Sequence, residues 1–405
     1  MNAPHAPSLL ASVPMAPGDP ILGVTEVFVA DKNPNKVNLG VGVYYDDAGK
    51  VPLLECVRRA EQQRVQSGTP KSYLPIDGLQ SYDQAVQALV FGASAPLLKE
   101  KRVLTVQALG GTGGLKIGAD FLKQLSPDAQ VWISEPSWEN HRALFEAAGF
   151  KVQAYPYYDP ATRGLKFEAM LSALQALPAG SIAVLHSCCH NPTGVDLSEE
   201  QWQKVLAVVQ ARGLVPFLDL AYQGFGDGID ADAYAPRLFA GAMSPIFLSS
   251  SFSKSLSLYG ERIGAFSLVA GSADEAARAL SQVKRVVRTN YSNPPTHGGD
   301  IVARVLNTPE LRALWEKELG GMRERIKQMR KALAEGVQKR VPGTDYSFVV
   351  KQRGLFSYTG LSKAQVERLR TEFSIYAIDT GRVCVAALNS GNIDYVADAI
   401  AKVIR

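Results

Sequence analysis

The stretch IAVLHSCCHNPTGVDLSEEQWQKVLAVVQARGLVPFL, residues 182–218, decides the fold. It opens with Ile182–His186 and closes with Leu214–Leu218, two short runs that are apolar on both faces. Between them, Glu199–Arg212 carries the 3.6-residue spacing of an amphipathic helix. Strands apolar on both sides and joined through a helix belong to a parallel sheet covered on both faces. Arg102–Val106, Gln130–Ser134 and Pro245–Ser249 repeat the pattern on either side. The sequence therefore predicts an α/β fold with a large domain over about residues 50–320. A long charged helix over Glu310–Gln338 leads away from it, and Asp345–Arg405 reads as hairpin strands plus helices, a smaller α+β unit.

Composition bounds the alternatives. The chain has 405 residues, 46% hydrophobic and 20% charged, with 35 Gly and 23 Pro, which excludes disordered, collagenous and coiled-coil chains. Its length exceeds what one core holds, so at least two domains are expected. The 43 basic and 39 acidic side chains leave a net charge of +4, too dilute for a nucleic-acid footprint. No apolar run is long enough for a membrane span. Met1–Pro20 lacks a basic region, and the first arginine is Arg58, so neither a secretory signal nor a transit peptide is expected. Cys56, Cys188, Cys189 and Cys384 show no CxxC or Cys/His spacing. They read as reduced, buried thiols of a cytoplasmic protein, without a zinc site.

In such a sheet, ligands sit beyond the carboxyl ends of the strands, so the polar residues there carry the chemistry. After the Arg102 run comes Gly110-Gly-Thr-Gly-Gly114, then a helical pattern to Leu125. These glycines serve either a tight turn or a phosphate at a helix N-terminus. After Ile182–Ser187 comes His190-Asn191-Pro192-Thr193-Gly194, either a turn or an amide offered to a ligand oxygen. After Leu214–Leu218 comes Asp219, with Tyr222 three residues on; the carboxylate either caps the next turn or meets a cation. After Pro245–Ser249 comes Ser250-Ser251-Phe252-Ser253-Lys254, with Arg262 beyond. Lys254 is either a solvated surface residue or a Schiff-base amine. Ser251 to Lys254 also matches SxxK of acyl-enzyme hydrolases, but the companion SDN and KTG strings are absent. One ligand suits all four strand ends, a phosphorylated pyridine aldehyde. It needs an amine, a carboxylate for its ring nitrogen, donors for its phenolate and a phosphate cradle.

The strings GGTGGLK, EPSWENH, HSCCHNPTGVD, FLDLAYQGF, SSFSKSLSLYGERIG, RTNYSNPPTHGG and GRVCVAALN resemble fold type I aminotransferases of the aspartate/aromatic amino acid subgroup. The likeness runs in the family's order from Gly18-Asp19-Pro20-Ile21-Leu22-Gly23 to near the C-terminus. The resemblance implies a mostly parallel seven-stranded sheet and a smaller α+β domain. The expected divisions are an arm over 1–18, a small domain over 19–49 and 321–405, and a large domain over 50–320. It implies pyridoxal 5′-phosphate held by Lys254, with Asp219 on the pyridinium and His141 behind Asp219. Tyr222 and Asn191 would meet the phenolic oxygen, and Trp138 would stack on the ring. Gly111, Thr112, Ser251 and Arg262 would hold the phosphate. Tyr73 would reach the neighbouring subunit's phosphate in a homodimer whose N-terminal arm lies on the partner. Arg382, with Asn191 and the Gly42 backbone, would bind the α-carboxylate, and Arg288 would bind a distal carboxylate in the partner's site.

Substrate expectations divide. Tyr45 and Val51 at the pocket rim resemble the aromatic-accepting branch, and an apolar rim suits aromatic rings. Thr112 and Asn293 look like the aspartate branch. The reading is an aromatic aminotransferase working with 2-oxoglutarate and retaining dicarboxylate activity. The alternatives are a strict aspartate aminotransferase or, more distantly, a non-enzymatic protein that binds the cofactor.

Overall fold

A computed structural model describes residues 8–16 and 22–405. The start of the family likeness, Gly18 to Ile21, and residues 1–7 of the expected arm lie outside the described residues. Seven strands form the central sheet: β1 (Val103–Leu109), β2 (Gln130–Glu135), β3 (Lys151–Pro156), β4 (Ile182–His186), β5 (Val215–Leu220), β6 (Ile246–Ser251) and β7 (Ile263–Val269). Their order is β1-β7-β6-β5-β4-β2-β3. β7 runs antiparallel to both neighbours, and the remaining pairings are parallel.

Period-two alternation splits the core between the two faces of the sheet. Phe217, Phe247 and Phe266 join one cluster, while Leu218, Leu248 and Ala265 join the other. Helix α1 (Gly110–Leu125) lies so close to the sheet that a Cβ on Gly118 would come within 2.5 Å of Phe217 Cζ. Helix α2 (Glu199–Arg212) keeps the bounds read from its periodicity. A capping box of Ser198 and Gln201 starts it, and Gly213, at φ +61°, ends it.

Helix α3 (Ala273–Tyr291) carries Arg288 in its last turn. Helix α4 (Pro309–Arg340) is 32 residues long, roughly 48 Å. It buries Trp315, Leu319, Met322, Ile326, Arg330, Leu333 and Val337 along one stripe and runs unbroken through residues 320 and 321. Beyond it, Phe356–Tyr358 pairs antiparallel with Arg382–Cys384. Val37–Asn38 pairs in parallel with Ile375–Tyr376, so the first described strand of the chain is held by one of its last. All four cysteines are buried free thiols. Among the described residues, no helix is long and apolar enough to cross a membrane.

Candidate active site

The carboxyl ends of the parallel strands and the start of α1 converge on one cleft. Gly111, Thr112, Trp138, Asn191, Asp219, Tyr222, Ser251, Lys254 and Arg262 line it from the large sheet, and Gly42 and Arg382 close it from the other side. His141 stands behind Asp219, fully buried, and its Nε2–H donates to Asp219 Oδ2 at 2.9 Å. Tyr73, 90% exposed, and Arg288, also exposed, do not line this cleft. Tyr45 lines a separate hollow near Asn389 and Tyr395, and Val51 is largely exposed, so neither forms the rim of the cleft within one chain. Asn293 donates its side-chain amide to Ser292 Oγ at 3.2 Å.

The electrostatics follow from burial and pairing. Desolvation pushes the Lys254 ammonium down to about 8; the Asp219 carboxylate opposes that shift and Arg262 adds to it. Burial alone would raise the Asp219 carboxyl. The bond from His141 and the charges of the neighbouring imidazoles and Lys254 outweigh it and hold the group below the usual carboxylate range. Burial pushes the Tyr222 phenol far up, so it stays a neutral donor. Arg262 sits in the left-handed region at φ +52°, a conformation a non-glycine residue holds only when its surroundings enforce it. A Cβ on Gly110 would fall 2.5 Å from Arg262 Nη2, so only glycine leaves room for that guanidinium beside the helix N-terminus.

Arg382 donates from Nη2 to Gly40 O at 2.7 Å and from Nη1 to Asn191 Oδ1 at 3.2 Å. Its Nε is buried without a partner, and no carboxylate among the described residues pairs with the guanidinium. A buried cation in that condition calls for an anionic ligand.

Some parts of the site escaped the sequence reading. Ser137 bridges His141 Nδ1 at 2.9 Å and His186 Nε2 at 3.2 Å, extending the chain behind Asp219. His186 ends a strand that was read, so the strand-end rule extends to it. Phe356 lies under Arg382, its ring centroid 4.3 Å from the guanidinium carbon, and no local signal marks it. Among the described residues, one group of possible metal ligands exists: Cys188, Cys189 and Asp232. Its chemistry is that of a structural knot. Asp232 accepts from the backbone N–H groups of Gly224, Gly226 and Asp227, and burial pushes the Cys189 thiol up to about 12.

A weakened lysine and a held carboxylate beyond the ends of parallel strands, with two arginines in the same cleft, define an enzyme that presents an amine to an anionic ligand. The chain belongs to the class I and II aminotransferases, whose family model matches residues 34–400. It is 61% identical to an aspartate aminotransferase of Pseudomonas aeruginosa over 98% of this chain and 100% of the relative. It is 50% identical to an aromatic-amino-acid aminotransferase of Escherichia coli over 96% of this chain and 98% of the relative. Among solved structures, it resembles an aromatic-amino-acid aminotransferase from Burkholderia pseudomallei covalently bound to pyridoxal phosphate. That match has a TM-score of 0.97 and 62% identity over 98% of this chain and 100% of the other. The sheet is that of fold type I aminotransferases, as the resemblance implied.

Proposed function

We propose that this aminotransferase uses pyridoxal 5′-phosphate to transfer the amino group of phenylalanine, tyrosine and tryptophan to 2-oxoglutarate. It retains activity on aspartate and glutamate, and it works as a cytoplasmic homodimer with shared sites. The observation that carries the reading is one cleft holding Lys254, with its pKa near 8, and Arg382, a buried guanidinium without a carboxylate partner among the described residues. In the accompanying division, residues 50–320 form the cofactor-binding body, 19–49 and 321–405 form the substrate-closing body, and 1–18 form an arm.

The residues fit the cofactor. The glycine turn at Gly110 and Gly111 opens α1, and Arg262, Ser251 and Thr112 surround it, a cradle for a phosphate dianion. Asp219, held ionised, suits a protonated ring nitrogen, and His141 fixes its orientation. Asn191 and Tyr222 offer hydrogen bonds to the phenolic oxygen, and Trp138 offers a flat face to the ring. When bound, pyridoxal 5′-phosphate supplies an aldehyde that takes up the amino group and a ring that draws electrons from the substrate Cα.

The chain's own groups do the rest. Arg382, Asn191 and the Gly42 backbone bind the α-carboxylate and aim the Cα–H bond at Lys254. Lys254 Nζ, neutral more often than an ordinary lysine, would take the Cα proton and pass it to the bound group within the donor's half of the cycle, and would carry a proton the opposite way, onto Cα, in the acceptor's half. Tyr73 of each subunit serves its neighbour's phosphate. Arg288 serves a distal carboxylate there, which accommodates dicarboxylic substrates beside aromatic ones.

A strict aspartate aminotransferase is the second reading, favoured by Thr112, by Asn293 and by the name of the Pseudomonas aeruginosa relative. A non-enzymatic protein would have no use for Arg382. The test is one kcat/KM panel over Asp, Glu, Phe, Tyr and Trp with 2-oxoglutarate. We expect Phe or Tyr within about tenfold of Asp, a gap of about 1.4 kcal/mol. An advantage of a thousandfold or more for Asp establishes the second reading instead.

A further inference from the structure

We propose that Arg330 is a positioning residue for substrate: from inside the α4 junction it sets the segment that holds Arg382 over Phe356. The proposal rests on Arg382 being the carboxylate-binding residue.

Arg330 is 1% exposed, and no carboxylate among the described residues pairs with it. Its Nη2 donates to Gly354 O at 2.7 Å and to Phe356 O at 2.6 Å. Its Nη1 donates to Ser357 Oγ and, at 3.4 Å, to Val349 O. The planar fork thus grips Gly354 and, in the strand that follows, Phe356 and Ser357 at once, a geometry lysine cannot copy. Burial pushes this guanidinium down to about 10, so it stays charged at neutral pH. Burying a charge without a counter-ion is costly, and an apolar side chain would pack α4 as well. The arrangement therefore does something that packing alone does not require.

The gripped segment explains what. The Phe356 ring lies 4.3 Å from the Arg382 guanidinium carbon and T-shaped against Tyr222 at 6.2 Å. A Cβ on Gly42 would stand 2.4 Å from Phe356 Cζ, so the ring lies where it does only because position 42 has no side chain. Tyr358 faces Arg382 across the ladder. At its start, Arg353 N donates to Gly194 O at 2.7 Å, docking the segment on the turn that carries Asn191. Arg330 is the side chain that bonds this strand from the α4 side, and a misplacement there passes directly to Arg382.

The test uses the cofactor-loaded enzyme and two unreactive acids, succinate and 3-phenylpropionate, titrated against the cofactor's absorption. In Arg330→Met, Kd should rise at least about tenfold for both acids by the same factor. KM for Asp and Phe should rise in parallel, while kcat stays within about threefold. Arg330→Lys, which keeps the charge but cannot span residues 354, 356 and 357 at once, should also weaken both acids by a common factor, though less than Arg330→Met does. A folded Arg330→Met enzyme with a lowered Tm but unchanged Kd values overturns the proposal, because Arg330 is then only a structural pin. Loss confined to succinate overturns it too, since the effect would lie at the distal carboxylate. If Arg330→Met does not fold, Arg330→Lys and Ser357→Ala are read instead, and unchanged Kd in both overturns it. Arg382→Met is the reference arm: intact affinity there removes the reading of Arg382 itself, whereas loss there with none at Arg330 removes this inference alone.

Discussion

Lys254 illustrates how burial prepares a side chain for chemistry. At a pKa near 8, about a tenth of the amine is neutral at pH 7, against well under a thousandth for an ordinary lysine. The neutral amine is the form that attacks a carbonyl, so reactivity should rise with pH through that value. In cofactor-free protein, the rate of condensation with pyridoxal 5′-phosphate should climb with a midpoint near pH 8. Asp219 is the carboxylate that pulls this pKa upward, so in Asp219→Asn the midpoint should fall below 8. A midpoint near 10.5 in both proteins would mean that desolvation does not govern this amine.

Asp219 and Lys254 stand out in the sequence because each follows an apolar strand, although a helix cap and a solvated lysine are also ordinary readings of them. The contact of Phe356 with Arg382 does not stand out, since it depends on how the Phe356–Tyr358 strand registers against Arg382–Cys384. No short string encodes that register.

Among elements, α1 shows how tightly the cofactor cradle is tied to the sheet. A Cβ on Gly114 would meet Ser249 Oγ at 2.5 Å and the backbone oxygen of Ala265 at 2.7 Å. Backbone cannot rotate away, so Gly114→Ala should lift the helix and shift its N-terminus. Overpacking of this kind costs about 1–3 kcal/mol. We expect a lower Tm together with at least about tenfold weaker cofactor binding by equilibrium dialysis. Unchanged affinity in a destabilised protein would detach the cradle from the helix position.

The same elements mark what periodicity can recover. β4 and α2 were read with their observed bounds, because a fully buried strand must be continuously apolar and a capped helix announces both ends. β3, with its pattern Lys-Val-Gln-Ala-Tyr-Pro, is an edge strand with Lys151, Gln153 and Pro156 exposed, too broken a pattern to read as a buried strand. β7 is buried at every position, like β6 beside it, so nothing in its composition reveals that it runs the other way.

At the scale of the whole molecule, one subunit looks unfinished. Tyr73 is 90% exposed, and the described part of the arm presents Leu9, Leu10 and Met15 at 90%, 72% and 96%. Under the proposed homodimer a second copy covers this surface, and Arg288 acts in the neighbour's site. Arg288→Ala alone should lower dicarboxylate turnover by about 30-fold to several thousandfold, the kinetic equivalent of about 2–5 kcal/mol, and spare aromatic substrates. Mixing Lys254→Ala subunits with Arg288→Ala subunits should then restore aspartate turnover, up to half the wild-type rate per hybrid dimer. One of the two sites regains both residues. Mixing Lys254→Ala with Arg382→Ala should restore nothing, because both belong to one subunit's site. A dead first mixture after verified exchange would show that Arg288 does not cross.

The pairing of Val37–Asn38 with Ile375–Tyr376 also sets a schedule for biosynthesis. Gly40, whose carbonyl accepts from Arg382, is made 342 positions before it. At about 5–20 residues per second, the early segment spends roughly 17–70 s on the ribosome without the strand that will hold it. The glycine turn, Asp219, Lys254 and Arg262 are all synthesised in that interval. Under the proposed roles, the nascent chain therefore completes its phosphate cradle and its amine while the carboxylate clamp is still untranslated.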